Sequence, residues 1–594
     1  MSNPRTLLLV ALAFMAMLLW QAWETDYTQR PTAPETTGSN MPSVPDTSKV
    51  GETSARPTSA DVPKPITGNT PPPPATATPK PNESNQTAPS VLVDVRTDLL
   101  HLQIETNGGA IVQADLLDYP AEQKDKNVPV RLLNNDPTHY FVAETGLVSS
   151  SSTAPDHNAK FSVDKTSYAL APGQNTLEVP LTWTDAAGLT VRKTYVFTRG
   201  SYLLQLQERI TNSTQTPWSG NQYRQLQRVP PVIVSHGFAF SDPERYAFTG
   251  AAWYSPEDKF QKLAFKKFET DKLCRADQQN PTTLDHCTFK SGWSAMLQHY
   301  FFAAWIPQSD ESDVYQYATS TGPKGETRYL IRSISPTISV APGKTANIDS
   351  HLYIGPTLVS QLDAIEKAGI AKGLTLTADY GMLTPIAQPL HWILVELHAL
   401  VRNWGLAIIL LVLLIKLAMF KLSEAQYKSM AKMKRLQPRM QALKERYGDD
   451  KQKLSAATME LYKKEKINPL GGCLPTLIQI PVFFALYYVL LESVELRQAP
   501  FFGWIHNLSA PDPYYILPIV NAAVMVGAQL LAPNSPGMDP MQAKMMKAMP
   551  VVFAVLFLFF PAGLVLYYTV NGGLSLLQQW IITRRMQAAD KRAN

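Results

Sequence analysis

Apolar residues fall along this chain in two textures. Residues 6–23, TLLLVALAFMAMLLWQAW, form one continuous apolar run, and four more follow at 405–422, 473–491, 514–531 and 549–582. As helices, runs of this length match the hydrocarbon core of a bilayer. The last is too long for one span and contains FFPAG, 559–563, where Pro and Gly end one helix and start another. The pattern predicts six transmembrane α-helices: an N-terminal one and a five-helix core over 405–582. Between them, 91–383 has the second texture, short apolar–polar alternations broken by Gly, Pro and Asn. HLQIETNGGAIVQADL, LTVRKTYVFTRGSYLLQLQERITN and TRYLIRSISPTISVAPGKTANIDSHLYIGP all read this way. Period-two alternation with frequent turns predicts a large antiparallel β-sandwich.

Three further segments connect these parts. Residues 24–90 hold 14 Pro within 31–90 and few apolar side chains, so they are expected to be a disordered tether. Residues 384–404 read as an amphipathic helix. Leu390, Ile393, Leu394, Leu397, Leu400, Val401 and Trp404 form a stripe opposite His391, His398 and Arg402. Its place beside the next apolar run suits a helix at the membrane surface; packing on the sandwich is the alternative. Residues 424–466 read as a helical hairpin turning at YGDD, 447–450. Met430, Met433, Leu436, Met440, Leu443 and Tyr447 form its seam, and basic residues including Lys434 and Arg435 cover the rest.

Charge sets the orientation. The chain carries 54 Lys and Arg against 49 Asp and Glu, unevenly spread. Loop 421–466 has 13 basic and 6 acidic residues, net +7; tail 583–594 has four basic residues against Asp590, net +3. Loop 492–513 has Glu492, Glu495 and Asp512 against Arg497, net −2. By the positive-inside rule the hairpin, loop 532–548 and both termini face the cytoplasm, and the sandwich lies across the membrane. The first run lacks a small-x-small cleavage pattern, so 1–23 reads as an uncleaved signal anchor. Three cysteines are too few for a disulfide scaffold, but Cys274 and Cys287 can pair if they are extracytoplasmic.

Lys416 is the one charged residue within the five C-terminal apolar cores, and no carboxylate in the other spans is available to it. It is five positions, or about 7.5 Å along a helix, from Lys421. Its stem can snorkel to the headgroups, or the ammonium can face a wet groove. Other spans supply polar groups for a groove: Gln479, Asn521, Gln529, and Tyr568, Gly572, Ser575 and Gln579 at helical spacing. Helix–helix hydrogen bonding is the plainer use of any one of them.

Segment 425–519, with NPLGGCLPTLIQIPVFFALYYVLLESVELRQAPFFGWIHN in its middle, and DPMQAKMMKAMPVVFAVLFLFFPAGLVLYYTVNGGLSLLQQW, 539–580, resemble the core of the YidC-type membrane protein insertases. GWSAMLQHYFFAAWIP, 292–307, and the uncleaved first span extend the likeness to the Gram-negative form, with its periplasmic β-supersandwich. The resemblance implies an inner-membrane protein that inserts and folds nascent membrane proteins, alone or beside the Sec translocon, through a hydrophilic groove open to cytoplasm and lipid. It implies no cofactor, no metal, no small-molecule substrate and no chemical step. Its positive groove residue maps to Lys416, where relatives usually carry Arg; the charge is kept but not the forked geometry. Its last-span substrate contacts map to Tyr567 and Tyr568. The basic hairpin and tail map to ribosome-facing regions, and membrane lipids complete the partners.

Two rival classes fit less well. A solute transporter would show internal repeats and an acidic coupling residue. An anchored sugar-binding enzyme would need clustered carboxylates or His in the β-rich part; His236, His286, His299 and His351 are scattered.

Overall fold

A computed structural model describes residues 61–66, 90–150, 152–231, 247–268, 273–275, 284–308, 310–448, 450–465, 474–531 and 540–593. The anchor 1–23 and loop residues 532–539 lie outside them.

The β-rich part forms two stacked sheets, of twelve and eight strands among the described residues. In the larger, Trp218–Arg228 is central, flanked by Phe141–Val148 and Thr327–Ile334. In the smaller, Thr176–Thr184, Leu189–Thr198, Leu203–Asn212 and Thr345–Pro356 pair in that order. Alternation decides which side is hidden: in Leu189–Thr198 the side chains of Leu189, Val191, Tyr195 and Phe197 point inward. They meet Val95, Leu102, Ala143, Leu226 and Ile331 of the other sheet in one core. The Gly108–Gly109 turn needs glycine, since both residues have positive φ and a Cβ on Gly108 would lie 2.3 Å from the His157 carbonyl oxygen.

The sandwich is not wholly antiparallel. Ser167–Ala169 and Cys274–Arg275 add parallel strands at the two ends of the larger sheet. Strands of two or three residues are too short to show a period in sequence. A second departure concerns the tether. Asp61–Ile66, within the stretch expected to be disordered, lies against the larger sheet, with Ile66 packed beside Val148, Tyr223 and Ile334.

Helices follow. α1 (Val359–Lys367) leads to α2 (Thr384–Val401), α3 (Trp404–Ala418) and α4 (Phe420–Arg435). α5 (Gln437–Tyr447) and α6 (Lys451–Lys464) come next, then α7 (Leu474–Glu492). The series ends with α8 (Ile516–Leu531), α9 (Pro540–Phe557) and α10 (Ala562–Ala593). Among the described residues no single helix is long and apolar enough to cross a membrane; Trp404–Ala418 reaches that test only together with Phe420–Ser429. The long run does break before Ala562, after α9 has ended at Phe557. Helix α9 begins at Pro540, inside the expected loop 532–548, and α10 carries on through the tail.

The chain divides into two compact units, one holding Ser59–Glu424 with Leu477–Asn594, the other Ala425–Thr476. In the smaller unit the expected continuous first hairpin helix is broken at Leu436, because Pro438 favours the first turn of a new helix over the interior of an old one. Asp450 caps α6 by accepting from the Gln452 and Lys453 amides at 3.2 and 3.1 Å. Met440 is buried and its sulfur accepts from Tyr462 Oη at 3.3 Å. The side chains of Met430, Met433, Lys434 and Arg435 lie outside the described set.

The amphipathic helix is also rotated from expectation. In α2 Leu390 and Leu394 are buried as the stripe requires, but His391 is buried beside them, 3.5 Å from Glu495, while Leu400 is 78% exposed. His391 points inward because Glu495 gives its ring a polar partner there. The helix does not run into α3: Arg402 takes a left-handed φ of 53° and Asn403 starts a new helix.

Candidate functional site

The site begins with how α3 is held. Asn403 Oδ1 accepts from the Leu406 amide at 3.0 Å, and Nδ2 donates to the Phe501 carbonyl at 3.2 Å. Gly405 lies against the Phe501 ring, where a Cβ would sit 2.0 Å away. So fixed, α3 buries Ile408, Leu411 and Val412 and exposes Leu413, Leu414 and Leu417. Lys416 is one turn beyond Val412 and continues the inward stripe.

Its ammonium donates to Ser575 Oγ of α10 at 2.7 Å. Ser575 Oγ in turn donates to the Asn571 carbonyl at 2.8 Å, which orients the hydroxyl lone pairs toward the lysine. Gln479 of α7 reaches Asn571 Oδ1 at 3.5 Å, the outer limit of a hydrogen bond. Three helices thus bring Lys416, Ser575, Asn571 and Gln479 together. Among the described residues no carboxylate pairs with Lys416, and Ser575 is its one hydrogen-bond partner. The amine points across to α10.

The other candidates lie elsewhere on these helices. Asn521 of α8 is buried, with Nδ2 3.8 Å from Met525 Sδ. It lies one turn before Val524, which packs against Gly572 of α10. Tyr568 joins an aromatic cluster, 4.9 Å from Phe483 and 4.5 Å from Phe557 between ring centroids. Tyr567 is buried against Phe483, a packing position. Gln579, one turn after Ser575, is half-buried. Sequence reading missed Asn571, the residue that links α7 to the lysine's partner. The signal was present, because Asn571 is four residues before Ser575 and so on the same helical face.

Outside the helices, Cys274 and Cys287 form a disulfide with Cα atoms 5.8 Å apart. With His286 they are the one group of metal-ligating atoms close together among the described residues, but the disulfide leaves no thiolate for an ion.

Helices that expose leucines and valines on one side and bring Lys416, Ser575, Asn571 and Gln479 together on another have the pattern of a helical membrane protein. The β part matches a family described as the YidC periplasmic domain over residues 92–393, and the helical part matches the 60Kd inner membrane protein family over 396–590. A membrane protein insertase YidC of Stenotrophomonas maltophilia (strain R551-3) is 43% identical over 98% of this chain and 97% of its own. That of Methylococcus capsulatus is 42% identical over 100% of both. A crystal structure of an active YidC insertase with its first transmembrane domain resolved covers 82% of this chain and 94% of its own, at 17% identity and a TM-score of 0.34. The chain belongs to the YidC family of membrane protein insertases.

Proposed function

We propose that this insertase draws the polar end of a nascent membrane protein toward Lys416, while the apolar segment leaves sideways into lipid. The observation that carries the reading is the ammonium held inward by a neutral hydroxyl, 2.7 Å away. A hydroxyl orients the charge without neutralising it. At about 4 Å and an effective dielectric near 20, an incoming carboxylate gains about 4 kcal/mol. Placing an acidic group at mid-bilayer costs roughly 2.5–3.5 kcal/mol. The two are of similar size, so one cation suffices to offset one acidic residue in transit. Gln479, Asn521, Tyr568, Ser575 and Gln579 supply polar surface along the route, and burial of the substrate's own span drives its release.

The proposal includes six spans, with both termini, the hairpin and the tail in the cytoplasm and the sandwich in the periplasm. It includes work alone or beside the Sec translocon, and weak ribosome contact through the basic hairpin and tail. The charge asymmetry of the loops supports the orientation.

The test is reconstitution of the purified full chain in liposomes with a single-span substrate carrying a short acidic tail, scored by protease protection. Lys416→Ala is expected to lower protection at least tenfold, and Lys416→Arg to keep it. Full protection with Lys416→Ala would remove the cation from the mechanism.

A further inference from the structure

We propose that the outer face of the twelve-stranded sheet is a binding groove for an extended, proline-spaced peptide, filled in the resting chain by its own segment Asp61–Ile66. The segment reads DVPKPI. Pro63 and Pro65 fix their own φ, and each disfavours helix at the residue before it, Val62 and Lys64. Four of the six residues are therefore biased toward an extended backbone before docking, which lowers the entropy lost on binding.

The floor is built from the outward side chains of neighbouring strands. Asn221 and Tyr223 come from Trp218–Arg228, Val148 from Phe141–Val148, and Arg332 and Ile334 from Thr327–Ile334. Side chains on an outer sheet face normally meet water, yet Asn221, Tyr223, Arg332 and Ile334 are each no more than 2% exposed. Pro63 is buried in the segment above them, whereas Lys64 is exposed.

Polar contacts hold both ends of the hexapeptide, mostly through its backbone. Arg332 Nη1 donates to the Asp61 carbonyl at 3.2 Å, and Arg332 Nε is braced by Gln316 Oε1 at 3.2 Å. At the other end the Ile66 amide donates to Asn221 Oδ1 at 3.3 Å, and Thr337 Oγ1 donates to the Ile66 carbonyl at 3.4 Å. The Asp61 carboxylate lies 3.7 Å from His157 Nε2. Apolar selection comes from Val62 and Ile66 against Val148, Tyr223 and Ile334. Ile66 also touches the small cluster of Cys274, Leu284, Cys287 and Val314, so the disulfide forms one wall of the groove.

Backbone clamps at both ends with apolar contacts between suit any extended segment of this chemistry: an acidic residue, a β-branched residue, Pro-x-Pro, then a second β-branched residue. Occupancy by the chain's own segment is favoured by a tethered effective concentration of about a millimolar, so a partner must match that to displace it.

The test uses full-length protein in nanodiscs with Cys473→Ser, and maleimide labelling of Val62→Cys against Lys124→Cys, the latter at an exposed position between strands. The thiol at position 62 is expected to react at least tenfold more slowly than that at 124. Ile66→Asp, which alters the segment and not the sheet, is expected to abolish the difference. A synthetic DVPKPI peptide at about 10 mM, above the tethered concentration, is expected to raise labelling at 62 at least threefold. Equal rates at 62 and 124 in the parent protein would overturn the proposal. So would slow labelling at 62 that neither Ile66→Asp nor the peptide changes.

Discussion

The sandwich and the helical core both bury lysine, and they treat it in opposite ways. Lys193 lies fully buried between the sheets. It donates to the carbonyls of Gly108 and Thr145 at 2.7 and 2.8 Å and faces Glu208 at 3.4 Å, its register partner on the next strand. Burial pulls its pKa below the ordinary lysine value, with Glu208 opposing. Arg224 and Asp313 form a second such pair at 2.7 Å. In the helices Lys416 is only half-buried and, among the described residues, meets a single neutral hydroxyl. A cation with its carboxylate in place is a structural element. One left with a hydroxyl keeps its attraction for an anion that arrives later.

The comparison breaks most sharply if Glu208 is removed. Glu208→Gln takes the carboxylate from the buried Lys193, and should cost about 3–5 kcal/mol of sandwich stability. The double change Lys193→Met with Glu208→Leu should recover most of that, because it removes both desolvation penalties. Denaturant unfolding followed by sandwich tryptophan fluorescence measures both. If the single change costs nothing, the pair is not what holds these strands together.

Next in size is a pH effect where the two regions meet. His299 turns the corner between strands Trp293–Gln298 and Phe301–Ile306, with Nε2 3.9 Å from Glu492 at the end of α7. Burial pushes its pKa down to about 4. Between about 4 and the unfolded value near 6.5 the unfolded chain binds the proton and the folded one does not. Stability therefore rises with pH across this window, and is lost as pH falls from 6.5 toward 4, by at most about 3 kcal/mol from this residue. His299→Asn, which tolerates the positive φ of 29° at this corner, should remove that component and leave a shallower pH–stability curve. Equal slopes for the two proteins would mean that His299 is accessible to protons in the folded state.

Legibility in sequence follows the range of each interaction. Leu189–Thr198 was readable because period-two alternation is local, and the helical runs because hydropathy is local. Lys193 sits in the inward row of that strand, but nothing nearby marks it, since its partner is fifteen residues on. The face of α2 was read wrongly at His391 because its partner Glu495 is contributed by a distant loop. The break before α5 was available in Pro438, and was outweighed by the regular Met and Leu spacing. Asp61–Ile66 carried a local signal, two prolines between Val62 and Ile66, but the composition of the whole stretch hid it. Of the polar strip, Ser575 was legible from helical spacing and Gln479 from its polarity within an apolar span, while the hydrogen bond to Lys416 depends on how α3 and α10 pack.

The smallest expected effect sharpens the comparison most. If Ser575 only orients Lys416, Ser575→Ala removes one hydrogen bond worth about 1 kcal/mol, since polar contacts between membrane helices average about 0.6 and reach about 1.7. That is about a threefold to twentyfold change in insertion of the acidic-tailed substrate, with no loss of folded protein. The sign distinguishes two uses of the hydroxyl. Slower insertion means that it holds the ammonium where the substrate needs it; faster insertion means that it competes with the substrate for the same donor. In either case the effect must vanish when Lys416 is already Ala, because a double-mutant cycle reports only the coupling between the pair. An equal effect of Ser575→Ala with and without the lysine would place Ser575 in helix packing and leave Lys416 without a positioning partner.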